Sequence, residues 1–297
     1  MGDLFHDVHL LTRNHGRLDV QYSISIFLHG FWALILEYRQ LSSVHRTRSY
    51  ANSLGGNPKL LLGSRHEELV RDLQSFQLIA SSWQDMSARE HLLLNLLLLN
   101  LHVSLDDMQL FSGKEGEDQA RRIYPVLQQW AASSESRSAA WCAAQILRYA
   151  RYFPQDHLKD FYAVAVHHAA LTLWTYGVVV RANRRRPEPG PGPGPGPFQT
   201  TTTTTTEAEA VYLDGTDSIA IQRFIGQDQG RPVIRGPEAR GVATTASLQD
   251  PRACMETAAD VLRCNFGQAQ ELPPLVENLR QIMRQLGNAA WAVGLGG

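Results

Sequence analysis

Apolar residues recur along this chain in two patterns. One is saturation: residues 91–103, HLLLNLLLLNLHV, hold eight leucines in thirteen positions, interrupted by Asn95 and Asn100 and flanked by His91 and His102. A bilayer-crossing helix needs about twenty apolar residues, so this run is too short and too polar to span. At about 100° per residue, His91, Asn95, Leu98, His102, Asp106 and Gln109 share one narrow strip, and leucines cover most of the remaining circumference. Such a helix is expected to be buried on nearly every side. Just upstream, Ser87 and Glu90 form an S-x-x-E capping box that supplies partners for the first backbone donors. Each buried leucine contributes roughly 1.5–3 kcal/mol, against about 1–3 for an unsatisfied amide. The leucines win, and Asn100, opposite the strip, requires a partner.

The other pattern is periodic. A second capping box, Ser64 and Glu67, precedes Leu69, Leu73, Phe76, Ala80 and Trp83, spaced by four, three, four and three, which predicts an amphipathic helix over 64–83. Ala120, Ile123, Leu127 and Trp130 repeat the spacing, with Pro125 expected to start or kink a helix, and residues 135–152 predict a further one. Residues 22–38 read as a buried helix despite Gly30. From Phe161 to Val180 no residue carries a permanent charge, so length alone permits a membrane span. The polar His167, His168, Thr172, Thr175 and Tyr176 favour a core helix instead.

Composition then changes abruptly. After Arg181, Arg184, Arg185 and Arg186 come alternating Pro-Gly and seven threonines, Thr200 to Thr206, which have no hydrophobic face and read as an extended linker. The next segment predicts an extended piece, a turn and a short helix at 219–225, followed by a Gly- and Pro-rich loop to Leu248. Asp250 as N-cap and Pro251 at the first position open a helix carrying Met255, Ala258, Leu262 and Phe266 and stopping at Gly267. A last helix runs from Pro273 and Pro274 with Leu275, Leu279, Ile282, Leu286 and Ala290 in register. The expected fold is all-α, an irregular multi-helix bundle. Its parts are an N-terminal helical part (1–186), a disordered Pro/Gly/Thr linker (187–210) and a C-terminal helical part (211–297) packed on the first.

With 297 residues, 43% of them hydrophobic, the chain is long enough for a sizeable core. Its 28 Lys+Arg nearly balance 29 Asp+Glu, so no global field draws it to nucleic acid. Cys142, Cys254 and Cys264 are too few and too scattered for a zinc site or a disulfide framework, which fits a reducing compartment. The opening MGDLFHDVHLLTRNHGR lacks the layout of a secretory signal, and an intracellular location is expected.

Motifs of known chemistry are missing: no H-E-x-x-H, phosphate loop, G-x-S-x-G or dinucleotide fingerprint occurs. FSGKEGE, residues 111–117, reads as a helix–helix turn at Gly113 or Gly116. Asp106 and Asp107 have no third acid to complete a magnesium motif and read as a charged helix end. Catalytic and cofactor-binding residues are therefore not expected. The most suggestive set is the strip of His91, Asn95, His102 and Asp106, because residues four apart on a helix can share a metal. The plainer reading is an inter-helix seam or a solvent edge, since no second helix offers an obvious acidic partner. His167 and His168, being adjacent, diverge by about 100° and do not easily share one metal. His6, Asp7 and His9 lie near a terminus, where disorder is the default. Arg181, Arg184, Arg185 and Arg186 read first as charge complement at a helix C-terminus, with nuclear import or phosphate contact as the functional alternative.

Five segments bring a family into view: HEELVRDLQSFQL, HLLLNLLLLNLHVSLDDMQLFSGKEGEDQARRIYPVLQQW, DFYAVAVHHAALTLWTYGVV, VYLDGTDSIAIQRFI with GRPVI, and LPPLVENLRQIMRQLGNAAWAVG. Together they resemble the C-terminal, all-helical part of filamentous-fungal transcription factors. There a fungal-specific transcription factor domain, the middle homology region, follows zinc fingers or a binuclear zinc cluster. The resemblance covers most of residues 20–297. It implies transcriptional regulation in the nucleus, with the transcription machinery or a paralogous factor as partner, homodimerisation as one option, no membrane, and DNA reached only indirectly. The zinc-binding Cys and His residues and the basic DNA-reading region are absent from these residues. Zinc would then belong to another module, no DNA-contact residue carries over, and the chain corresponds to the regulatory half: a fragment, a truncated product or a paralogue without fingers. The alternative is an all-α metal- or ligand-binding enzyme or sensor built on the His91, Asn95, His102 and Asp106 face.

Overall fold

A computed structural model describes residues 19–49, 58–80, 86–185, 209–239, 242–267 and 271–290. Ten helices and a small three-stranded sheet occur among them. The N-terminal helices are α1 (Val20–Ser49), α2 (Pro58–Ala80), α3 (Ala88–His102), α4 (Leu105–Phe111), α5 (Glu117–Ala131), α6 (Ser134–Ala150) and α7 (Asp160–Arg185). There follow β1 (Ala210–Tyr212), α8 (Ile219–Gln227), β2 (Arg231–Ala239), β3 (Val242–Ser247), α9 (Pro251–Cys264) and α10 (Pro274–Ala290). The all-α class holds.

The leucine run is core, as its pattern requires: Leu92–Leu94, Leu96–Leu99 and Leu101 are all buried. The expected capping box forms, with Ser87 Oγ accepting from Arg89 N and Glu90 reaching back to Ser87 N at 2.9 Å. Asn100 finds its partner within the helix, donating to the Leu96 carbonyl at 2.8 Å, and Asn95 does the same to His91. Two neighbouring expectations change. Helix α2 begins at Pro58, so Ser64 lies inside it and caps nothing. Pro suits a first turn, and Leu60–Leu62 carry the helix onward from there. Pro125 lies within α5 rather than starting it, at an exposed position where water can satisfy the carbonyl left without a donor.

Helix α7 is the hub. It packs against α4, α5, α6, α9 and α10, and 78% of its most apolar window is buried inside the protein. That burial accounts for the missing charge without a bilayer. The seam with the C-terminal part depends on Gly177: a Cβ there would land on the Leu248 carbonyl oxygen. An exposed helical Gly→Ala change usually gains roughly 0.5–1 kcal/mol. Here the clash reverses the sign, and Gly177→Ala is expected to cost about 1–3 kcal/mol, as overpacking does. A urea unfolding midpoint equal to or above wild type would contradict this close approach.

The segment expected to loop from the short helix to Leu248 is instead mostly sheet. Strand β1 pairs parallel with β2 (Val211 opposite Pro232) across the α8 crossover, and β2 pairs antiparallel with β3 (Val233 opposite Ser247). A bulge between Arg235 and Glu238 absorbs Gly236 and Pro237, residues that an unbroken ladder excludes. Polar contacts then fasten the sheet to α6. The Asp214 carboxylate, wholly buried, accepts from Arg151 Nη1 at 2.7 Å and from the Arg235 backbone N–H at 3.0 Å. Gln145 donates to the carbonyls of Leu213 and Gly215 at 2.7 and 2.9 Å.

Candidate functional site

The strip expected to run from His91 through Asp106 is not one helical face. Val103 is extended (φ −146°, ψ 147°) and ends α3, and Ser104 caps α4 by accepting from Asp107 N. Asp106 therefore sits exposed in the first turn of a new helix, and Asp107 beside it is buried. Two acids in that turn complement the positive end of the helix. The S-x-x-D pattern of Ser104 and Asp107 is a helix-start signal of the same kind as the one read at Ser87.

The three named candidates separate. His91 stacks flat on Tyr149, with ring centroids 4.3 Å apart and an interplanar angle of 6°. Burial there pushes its pKa below the usual imidazole value, opposed by Glu90 and assisted by Arg148. It is a packing residue in the seam between α3 and α6. His102 instead finds an acidic partner that was not expected from a second helix: its Nδ1 lies 2.5 Å from Glu135 Oε2, in the first turn of α6.

A third group completes this junction. His66, on α2, presents its ring edge-on to His102, with centroids 6.1 Å apart and planes at 78°. Each of His66, His102 and Glu135 offers one ligand atom, and these three atoms lie within 4.8 Å of one another. Among the described residues this is the one group of three His, Cys, Asp or Glu side chains that converges in this way, and neither His91 nor Asp106 belongs to it.

Its surroundings hold the rings in place. His66 Nε2 lies 3.1 Å from the Leu101 carbonyl, and its ring also faces Tyr38 at 5.8 Å. Trp130 Nε1 donates to the His102 carbonyl at 3.0 Å. Arg39 from α1 donates to the carbonyls of Asn100 and Val103, satisfying the free end of α3. Burial pushes His66 below the ordinary imidazole pKa; Glu135 and the Leu101 carbonyl pull the other way, and His102 and Arg39 add to the depression. For Glu135, burial works against the charged form, but the hydrogen bond and charge of His102, with His66 behind it, hold the carboxyl below its usual range. The His102 side chain is only 8% exposed and that of Glu135 46%, so the junction is closed on the helix side and open at the carboxylate.

The remaining candidates fall elsewhere. Arg184, at the end of α7, faces Asp228 at 4.0 Å, and Arg181 is half-buried one turn before it. The Arg185 side chain and Arg186 lie outside the described residues, as do Trp83, His6, Asp7, His9 and the Pro/Gly/Thr tract. Cys142 and Cys254 are buried, and burial pushes the Cys142 thiol up to about 12, which leaves it inert as a nucleophile. His66 and Glu135 were not singled out in the sequence because each is locally ordinary. One lies in an amphipathic helix beside two glutamates, the other in a serine-rich helix start, and no periodicity links three helices.

Compared with family models, with curated proteins and with solved structures, the chain matches none.

Proposed function

We propose that this chain is the regulatory, non-DNA-reading part of a fungal transcription factor of the zinc-finger type, working in the nucleus through the transcription machinery or a paralogous factor. The observation that supports this reading most is where the five resembling segments lie. They occupy α2, α3 to α5, α7, β1 to β2 and α10, and α7 packs against elements from both sides of the Pro/Gly/Thr tract. The resemblance therefore follows one folded unit rather than scattered helices. A domain of this kind requires a stable helical scaffold with apolar area left on its surface. Leu36, Leu41 and Val44 on α1 and Leu60 and Leu61 on α2 supply such area. The near-neutral charge fits a partner other than bare DNA.

The test joins the full chain to a heterologous sequence-specific DNA-binding module in a fungal cell. Transcription of a reporter carrying that module's site should change severalfold relative to the module alone, in either direction. An unchanged reporter, with the fusion present in the nucleus at equal abundance, would overturn the reading.

A further inference from the structure

We propose that His66, His102 and Glu135 form a binding site for a single divalent transition metal of the zinc class, which staples α2 to the junction of α3 and α6. The inference is independent of the transcriptional reading and of any zinc carried by another module. Three side chains from positions 66, 102 and 135 converge here, with one ligand atom from each within 4.8 Å of the others. Two imidazoles and one carboxylate are a donor set that zinc takes readily, and it also suits cobalt and nickel; calcium and magnesium prefer all-oxygen sites.

Each ligand already has the support that metal ligands have elsewhere. The hydrogen bond from His66 to the Leu101 carbonyl makes Nε2 the donor and leaves the Nδ1 lone pair for a metal. His102 sits on the last turn of α3, anchored through its own carbonyl by Trp130. Glu135 is in the first turn of α6 and half-exposed, so an ion has a way in and a water has room at the fourth position. In the absence of metal the Glu135 carboxylate accepts from His102, and it turns from that ring to the ion on binding. Arg39 is the opposing charge nearby, but its guanidinium is turned to the carbonyls of Asn100 and Val103.

The consequence is mechanical. Among the described residues helix α2 packs chiefly against α1 and α3. A metal held by His66 would couple it to α6 as well, so metal would set how firmly the α1–α2 pair is attached.

The experiment uses the tag-free full chain, stripped with a chelator and titrated with Zn²⁺ alone by calorimetry, with Co²⁺ absorption as a second reading. Wild type should take up one zinc per chain and melt at a higher temperature as free zinc rises. His66→Gln and Glu135→Gln, each checked for wild-type helical circular dichroism, should weaken binding by at least about tenfold, while His91→Gln should bind as wild type does. Two conservative variants are used so that a misfolded one still leaves the other to decide. A wild-type chain that takes up no zinc, or variants at His66 and Glu135 that bind it unchanged, would overturn the site.

Discussion

Leu97→Asp is expected to abolish the native fold. Leu97 is wholly buried on α3, inside the cluster that also holds Leu73 and Phe76 from α2 and Ala143 and Leu147 from α6. The change loses about 1.5–3 kcal/mol of apolar burial. It also leaves a carboxyl among aliphatic side chains, where burial raises the pKa by up to about 3–5 units, so that at neutral pH the group must take a proton at a cost of about 4 kcal/mol. The sum is comparable to the whole stability of an ordinary domain, about 5–15 kcal/mol. Circular dichroism during heating checks it: the variant should show no cooperative transition, or should aggregate. Leu97→Met, of similar volume, should lose less than about 1.5 kcal/mol. A soluble Leu97→Asp protein melting cooperatively would remove α3 from the centre of the fold.

Mild acid should destabilise the protein through α7. Burial lowers the pKa of His168 from its ordinary 6.5 to about 4, with His167 adding to the depression and Asp106 opposing it. His167 is depressed by burial as well, and its Nδ1 is buried with no hydrogen-bond partner among the described residues. A histidine held neutral in the fold gives its full contribution above pH 6.5. As pH falls below that value the unfolded chain takes a proton that the folded chain refuses, so stability declines until the folded ring also titrates near pH 4. For His168 the loss across that window is about 3 kcal/mol. Urea midpoints measured between pH 7 and pH 4 should fall accordingly, and His168→Gln should flatten the fall whatever it does to the absolute midpoint. Parallel pH profiles for the two proteins would mean that His168 is not the group responsible.

Much of this fold is legible without coordinates, because helical periodicity is a local property. The leucine run, the Ser87 cap, the Asp250–Pro251 start and the uncharged α7 each carry their signal within about twenty residues. The sheet was hidden for the opposite reason. Arg231–Ala239 contains Pro232, Gly236 and Pro237, which break the alternation that marks a strand, and the strand survives because a bulge absorbs Gly236 and Pro237 while its pairing partners lie elsewhere in the chain. The junction of His66, His102 and Glu135 was half legible. His102 stood out beside the leucines, but the strip assumed a helix running past Val103, and the Ser104 cap ends that helix early. Its two companions come from α2 and α6, and their meeting depends on how the helices pack, which no window of sequence contains.

The position of α7 also bears on how the chain is made. Its outer face is covered by α9 and α10, and about a hundred residues are translated between Arg185 at its end and Ala290 at the end of α10. At about 5–20 residues per second, an apolar helix with no charge from Phe161 to Val180 therefore waits about 5–20 seconds on the ribosome with that face open. During this interval the nascent chain presents exposed apolar surface of the kind that chaperones recognise. The length of chain between the two parts thus sets how long α7 goes without its C-terminal cover.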